Sequence, residues 1–180
     1  MIRPQSSIAV FLLLFFMFSF NSIKATHIVG GDFNYTCLGN NEYAIEMVVY
    51  RDCFNGEPYF DIPAVIGVFD GNNELVTDIG FNGQLQVFPM GDDTITNQLD
   101  DPCFLIPPNV CVHKTTYRDT INLPFTPGGY TLAYQRCCRN VTIVNIIAPL
   151  ESGATFLINI SERALLECNS SAKYKNVPPG

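Results

Sequence analysis

The chain has 180 residues, with 10 Lys and Arg against 17 Asp and Glu, giving a formal net charge of −7. An acidic chain with no basic run is poorly matched to nucleic acid or to an anionic membrane surface, so neither is expected as a partner. Seven cysteines point to an oxidising compartment and a disulfide framework, and an odd number leaves one without a partner inside the chain.

Residues 1–25 read as a signal peptide. Arg3 supplies a small positive start, and Ile8 to Phe20 is a 13-residue apolar run, too short to span a bilayer comfortably and of the right size for a signal core. Cleavage after Ala25 removes Arg3, Lys24 and no acid, which moves the net charge from −7 to −9. About 155 residues then remain, enough for one domain with its own core. No later apolar run is long enough for a transmembrane helix, so a secreted or cell-surface product is expected.

The rest reads as strands and turns. In "EYAIEMVVY", Tyr43, Ile45, Met47 and Val49 share one face and Glu42, Ala44, Glu46, Val48 and Tyr50 the other, the period of a half-buried strand. With "LGNN" as the turn, "GGDFNYTC" and "EYAIEMVVYRDC" predict a hairpin. "AVIGVFD" and "ELVTDIGF" around "GNN" predict a second, and "VCVHKTTYRDTINL" and "YTLAYQRCC" around "PFTPGG" a third. "VTIVNII" and "ATFLINI" add two strands, and "SERALLEC" has room for one helical turn. The segment "PMGDDTITNQLDDPCFLIPPN" predicts a long surface loop. Eight or nine short strands with turn residues between them predict an all-β, immunoglobulin-like sandwich over 26–168, stapled by disulfides, with 169–180 as a linker-like tail.

The stretch "YQRCCRN" carries the main chemical question. On a continuing strand Cys137 and Cys138 would point to opposite faces, so a bond between them needs a turn, and two separate disulfides are expected instead. The third hairpin would bring Cys111 back to this pair, with Cys103 nearby on the "FLIPPNV" loop. The adjacent pair is therefore expected to take one partner from Cys103 or Cys111 and one from Cys53 or Cys37. Cys37 and Cys53 sit at opposite ends of their own hairpin and are not expected to bond to each other. Cys168 follows the final strand and is expected to be the unpaired cysteine. Arg136 and Arg139 could favour a thiolate, but the spacing is C-C rather than C-x-x-C, and the arginines also suit pairing with acids.

Catalytic and metal signals are sparse. The only histidines, His27 and His113, have no zinc-like spacing, and there is no G-x-S-x-G elbow, so no enzyme activity and no obligatory cofactor are expected. Calcium has candidate oxygens in Asp70, Asn72 and Glu74 of one turn and in Asp92, Asp93, Asp100 and Asp101 of the acidic segment, without an EF-hand pattern. Asp-Gly and Asn-rich turns equally form with no metal.

"THIVGGDFNYTCLGNNEYAIEMVVYRDC", "FDIPAVIGVFD", "CFLIPPNVCV" and "LPFTPGGYTLAYQRCCRN" together resemble the N-terminal region of large secreted surface proteins of Bacteroidota, described as gliding-motility-associated or PKD-repeat proteins. The similarity runs from about Thr26 to Cys168. It implies a non-catalytic β-rich cap of an adhesion or motility-associated protein, ahead of downstream repeat domains and a type IX secretion sorting domain. Surface glycans or proteins are the implied partners, and a carbohydrate- or calcium-dependent binding module is the alternative. The sequence given stops at "NVPPG" without those repeats, so a truncated product or a short variant is expected. The resemblance implies two further features. A partner for Cys168 would lie beyond Gly180, and Thr94 and Thr120, each in "DTI", are similar to O-glycosylation acceptors of that group.

Overall fold

A computed structural model describes residues 28–54, 56, 59–95, 110–140 and 143–172. Eight strands form two antiparallel four-stranded sheets packed face to face, an all-β sandwich. The strands are β1 (Ile28–Gly39), β2 (Glu42–Asp52), β3 (Ala64–Phe69), β4 (Gln84–Val87), β5 (Pro89–Ile95), β6 (Val112–Asn122), β7 (Tyr130–Cys137) and β8 (Gly153–Ile160), followed by helix α1 (Glu162–Glu167). The first sheet has the order β1-β2-β6-β5 and the second β4-β3-β7-β8.

Alternation decides which side of each strand is buried. Tyr43, Ile45, Met47 and Val49 of β2 face inward with Tyr117 and Ile121 of β6. Ile66, Val68, Leu132, Tyr134, Ile158 and Ile160 of the second sheet meet them. Burying such apolar faces is the main favourable term in folding. The two sheets approach each other closely on the β1–β8 flank. A Cβ on Gly31 would lie 2.6 Å from the Phe156 ring, so only a glycine there lets that ring reach across from β8.

The β1–β2 hairpin forms with the predicted turn. The hairpin around "GNN" forms only in part. β3 meets the start of "ELVTDIGF" at an antiparallel bridge between Phe69 and Leu75, with the Asp70 N–H donating to Glu74 O and the Val76 N–H to Val68 O. Residues 77–80 form turns, and the β3 ladder is made with Gln84–Val87. The third predicted hairpin is corrected. β6 and β7 are not a hairpin: β6 pairs with β2 and β5, and β7 with β3 and β8, so 123–129 carries the chain from one sheet to the other. Gly129 permits this crossing, with φ +75° and Ile160 O only 2.2 Å from where its Cβ would stand. Residues 143–147 hold no strand, and Val144 and Ile147 are almost fully exposed. Pro89–Ile95, expected within a loop, is strand β5, while the remainder of that segment lies outside the described residues.

The largest correction concerns Cys168. It bonds to Cys37 across a sequence separation of 131 residues. The reach comes from α1, capped at its start by Ser161, whose Oγ accepts from the Ala164 N–H, and closed by Cys168 itself in the left-handed conformation. Beyond it the chain runs along the edge of β1. Tyr35 N–H donates to Ser171 Oγ, Ser171 N–H to Tyr35 O, and Cys37 N–H to Ser170 Oγ. Closing a loop of this length in the unfolded chain contributes about 4–5 kcal/mol in the chain-entropy picture. Cys168→Ser is therefore expected to lower unfolding free energy by roughly that amount in guanidinium titration. An unchanged midpoint would show that the bond does not constrain the fold.

Candidate functional site

The motifs "YRDC" and "YQRCCRN" meet at one end of the sandwich. The carriers are the ends of β2 and β7 and the start of β6, joined by the pairing of Asp52 with Val112 and by a bridge from Ile28 to Arg139. Cys53 N–H donates to Cys111 O, and the two cysteines form a disulfide. At the opposite end the Cys37–Cys168 bond holds α1, so the two bonds staple the two ends of the first sheet.

Cys137 and Cys138 bond to each other, which corrects the expectation of two separate partners. The strand does not continue through both residues. β7 stops at Cys137, and Cys138 takes φ +149°, a conformation that side chains rarely adopt, which turns the chain and brings the two sulfurs together. Because β6 and β7 lie in different sheets, Cys111 is not carried to this pair by any ladder. Arg136 and Arg139 have other partners. Arg136 pairs with Asp61 at 3.2 Å and donates to Tyr59 O, while Arg139 Nε donates to Gly153 O at 3.0 Å.

Below this end lies a buried polar cluster. Tyr134 donates to Asp61 Oδ2 at 2.6 Å, and Tyr117 to Asp61 O at 2.9 Å. Arg136 is buried and Asp61 partly open to solvent. Asp52 is buried as well, accepting from Asn140 Nδ2 and from the Phe54 N–H. Arg51 lies 4.3 Å from the Tyr59 ring centroid and 5.5 Å from that of Phe60, a cation–π arrangement. Its Nη1 donates to Gly56 O, its Nη2 sits 3.4 Å from His113 Nδ1, and its buried Nε has no hydrogen-bond partner among the described residues. Sequence spacing did not single out Arg51, Asp61 or Tyr59, because their common neighbourhood is made by the fold.

Cys53, Cys111 and His113 place one potential ligand atom each within 4.8 Å of the others, the only such His, Cys, Asp or Glu trio among the described residues. With the sulfurs joined there is no thiolate to offer a metal. The calcium candidates do not gather. Asp70 Oδ1 accepts from the Asn72 and Glu74 N–H groups at 2.8 and 3.0 Å, closing the turn with protein donors and holding the Asp70 carboxyl below its usual range. Asp92 accepts from the Tyr59 hydroxyl, and Asp93 stands opposite Lys114 in the β5–β6 register. Asp100, Asp101 and Cys103 lie outside the described residues. Thr94 and Thr120 are exposed, on β5 and β6, and the Thr120 N–H donates to Asp119 Oδ1.

No family model matches this chain, and neither the curated proteins nor the solved structures contain a match to it.

The tyrosine pair sets the alkaline limit of stability. Burial, then the nearby Asp61 charge, push Tyr117 up to about 12, and burial followed by its hydrogen bond to Asp61 raises Tyr134. The folded state therefore holds these protons more tightly than the unfolded chain. Their stabilisation is complete below the unfolded value near 10 and is lost as pH rises through the folded values. Unfolding free energy is expected to be level through pH 9 and to fall steeply above pH 10, with the tyrosinate absorbance of the pair appearing only on unfolding. Replacing both by Phe should flatten that fall. A thiol titration of the unfolded, unreduced chain is expected to count one thiol, removed by Cys103→Ser, since three bonds use the other six cysteines. A count that survives this change would contradict the pairing.

Proposed function

We propose that this chain is a non-catalytic extracellular β-sandwich domain of a cell-surface adhesion or motility-associated protein, exported through residues 1–25. The observation that supports this most directly is the pair of bonds Cys37–Cys168 and Cys53–Cys111, which staple opposite ends of a sheet that already has a packed core. Such bonds persist in oxidising compartments. The sequence resemblance supplies the surface-protein context and downstream repeat domains as neighbours in a longer chain.

A binding module for neutral carbohydrate is the second reading, favoured by the contrast between the two outer faces. The first sheet presents Asp32, Glu46, Lys114 and Arg118, with Arg118 and Glu46 paired. The second presents Gln84, Gln86, Val65, Gly67, Phe69, Thr131, Ala133, Gln135, Thr155, Leu157 and Asn159, and no charged side chain. Amides and hydroxyls that donate and accept suit sugar hydroxyls.

Export is tested by expressing the whole chain in a Gram-negative host and sequencing the N-terminus of the exported product. A start at Thr26 with the three bonds formed is the expected result, and retention inside the cell with residues 1–25 intact would overturn the reading. A glycan array with and without calcium then separates adhesion through protein contacts from sugar binding.

A further inference from the structure

Among the described residues, the sandwich is open along the flank opposite β1 and β8. β5 accompanies β6 only from the pairing of Ile95 with Val112 to that of Pro89 with Tyr117. From Arg118 to Asn122, β6 has β2 on one side and, among the described residues, no strand on the other. This bare edge is one wall of a cleft of about 570 Å3. The facing wall is Val76 to Gly80 with Leu85, and the floor is the core itself, through the buried side chains of Ile121 and Tyr130.

The chemistry of the cleft is one-sided. Apolar groups line its depth, Asp78 and Asp119 stand on its rim, and no Lys, Arg or His among the described residues lines it. Arg118, next along β6, points to the outer face and pairs there with Glu46. An apolar trench with two carboxylates attracts a cation attached to an apolar body. The bare strand edge adds a preference for extended backbone, since unpaired N–H and C=O groups template strand addition. At present the Thr120 N–H is held by the Asp119 carboxylate at 2.7 Å, a local bond in place of a ladder partner.

We propose that this cleft binds an extended basic peptide segment of a partner protein, laid along Arg118–Asn122 as an added strand. Its apolar side chains enter the trench between Val76, Ile79 and Ile121. Its Lys or Arg side chains reach Asp78 and Asp119. A peptide carbonyl takes over the Thr120 N–H, which frees the Asp119 carboxylate for the incoming cation. The chain's own 96–109 segment has the wrong sign for this place, with Asp100, Asp101 and no basic residue.

The test uses the exported, disulfide-bonded protein and a fluorescent peptide of alternating Lys and Val, with an alternating Glu and Val peptide and the diamine cadaverine as comparisons. Anisotropy is expected to show binding of the Lys peptide and none of the Glu peptide. Asp78→Asn with Asp119→Asn should weaken it roughly tenfold or more, while Asp93→Asn on β5 leaves it within about twofold. Amide exchange at Thr120 should slow when the peptide binds, a signature of strand addition that surface attraction alone does not give. Equal binding by the double variant, an unprotected Thr120 amide, or displacement by cadaverine at equal concentration would each overturn the proposal. Self-association of the protein abolished by Lys173→Glu and Lys175→Glu would also overturn it, by assigning the cleft to a second copy. None of these readouts depends on where the chain is exported or on sugar binding, so the proposal and the functional reading fail separately.

Discussion

Buried tyrosine hydroxyls must find partners, and much of the irregular chain is held where it is because it supplies them. Tyr43, Tyr117 and Tyr134 are among the most deeply buried side chains of the core. Each brings one polar atom into an apolar interior, where leaving it unpaired costs about 1–3 kcal/mol. Tyr43 donates to Ala164 O of α1, Tyr117 and Tyr134 to the backbone and carboxylate of Asp61, and Tyr130 to Pro124 O in the sheet crossing. The helix, the segment before β3 and the link between sheets are thereby tied to the same core. Arg136 completes the arrangement, its buried guanidinium lying 3.2 Å from the Asp61 carboxylate.

The two ends of the sandwich are stabilised by different means. One end has a long-range disulfide, a short capped helix and serines bonded to the free edge of β1. The other combines Cys53–Cys111, the turn at Cys137–Cys138 and a network of arginines, carboxylates and aromatic rings. Serines on the β1 edge occupy backbone groups that would otherwise be free to pair with another chain. The second half of β6 has no such cover among the described residues beyond the Asp119 carboxylate. The described residues therefore present a guarded edge, an uncharged face and an acid-rimmed cleft as separate surfaces.

The sequence by itself determined the fold class and the inward face of its best-patterned strand. Alternation at Tyr43, Ile45, Met47 and Val49 is a period-two signal that pleat geometry converts directly into a buried face, and "LGNN" marks the turn before it. The sequence left room for one helical turn after β8, and the structure fills it with α1, capped by Ser161 Oγ accepting from the Ala164 N–H three residues on. Tertiary structure alone decided which strands share a sheet. A turn within one sheet and an arch between two have the same glycines and prolines, and β6 and β7 both alternate, so only the meeting of their inward faces across the core separates them. The cysteine partners follow from that choice and not from spacing. Cys37 finds Cys168 because α1 returns to the β1 edge, and Cys137 bonds its neighbour because a single backbone turn at Cys138 ends the strand between them.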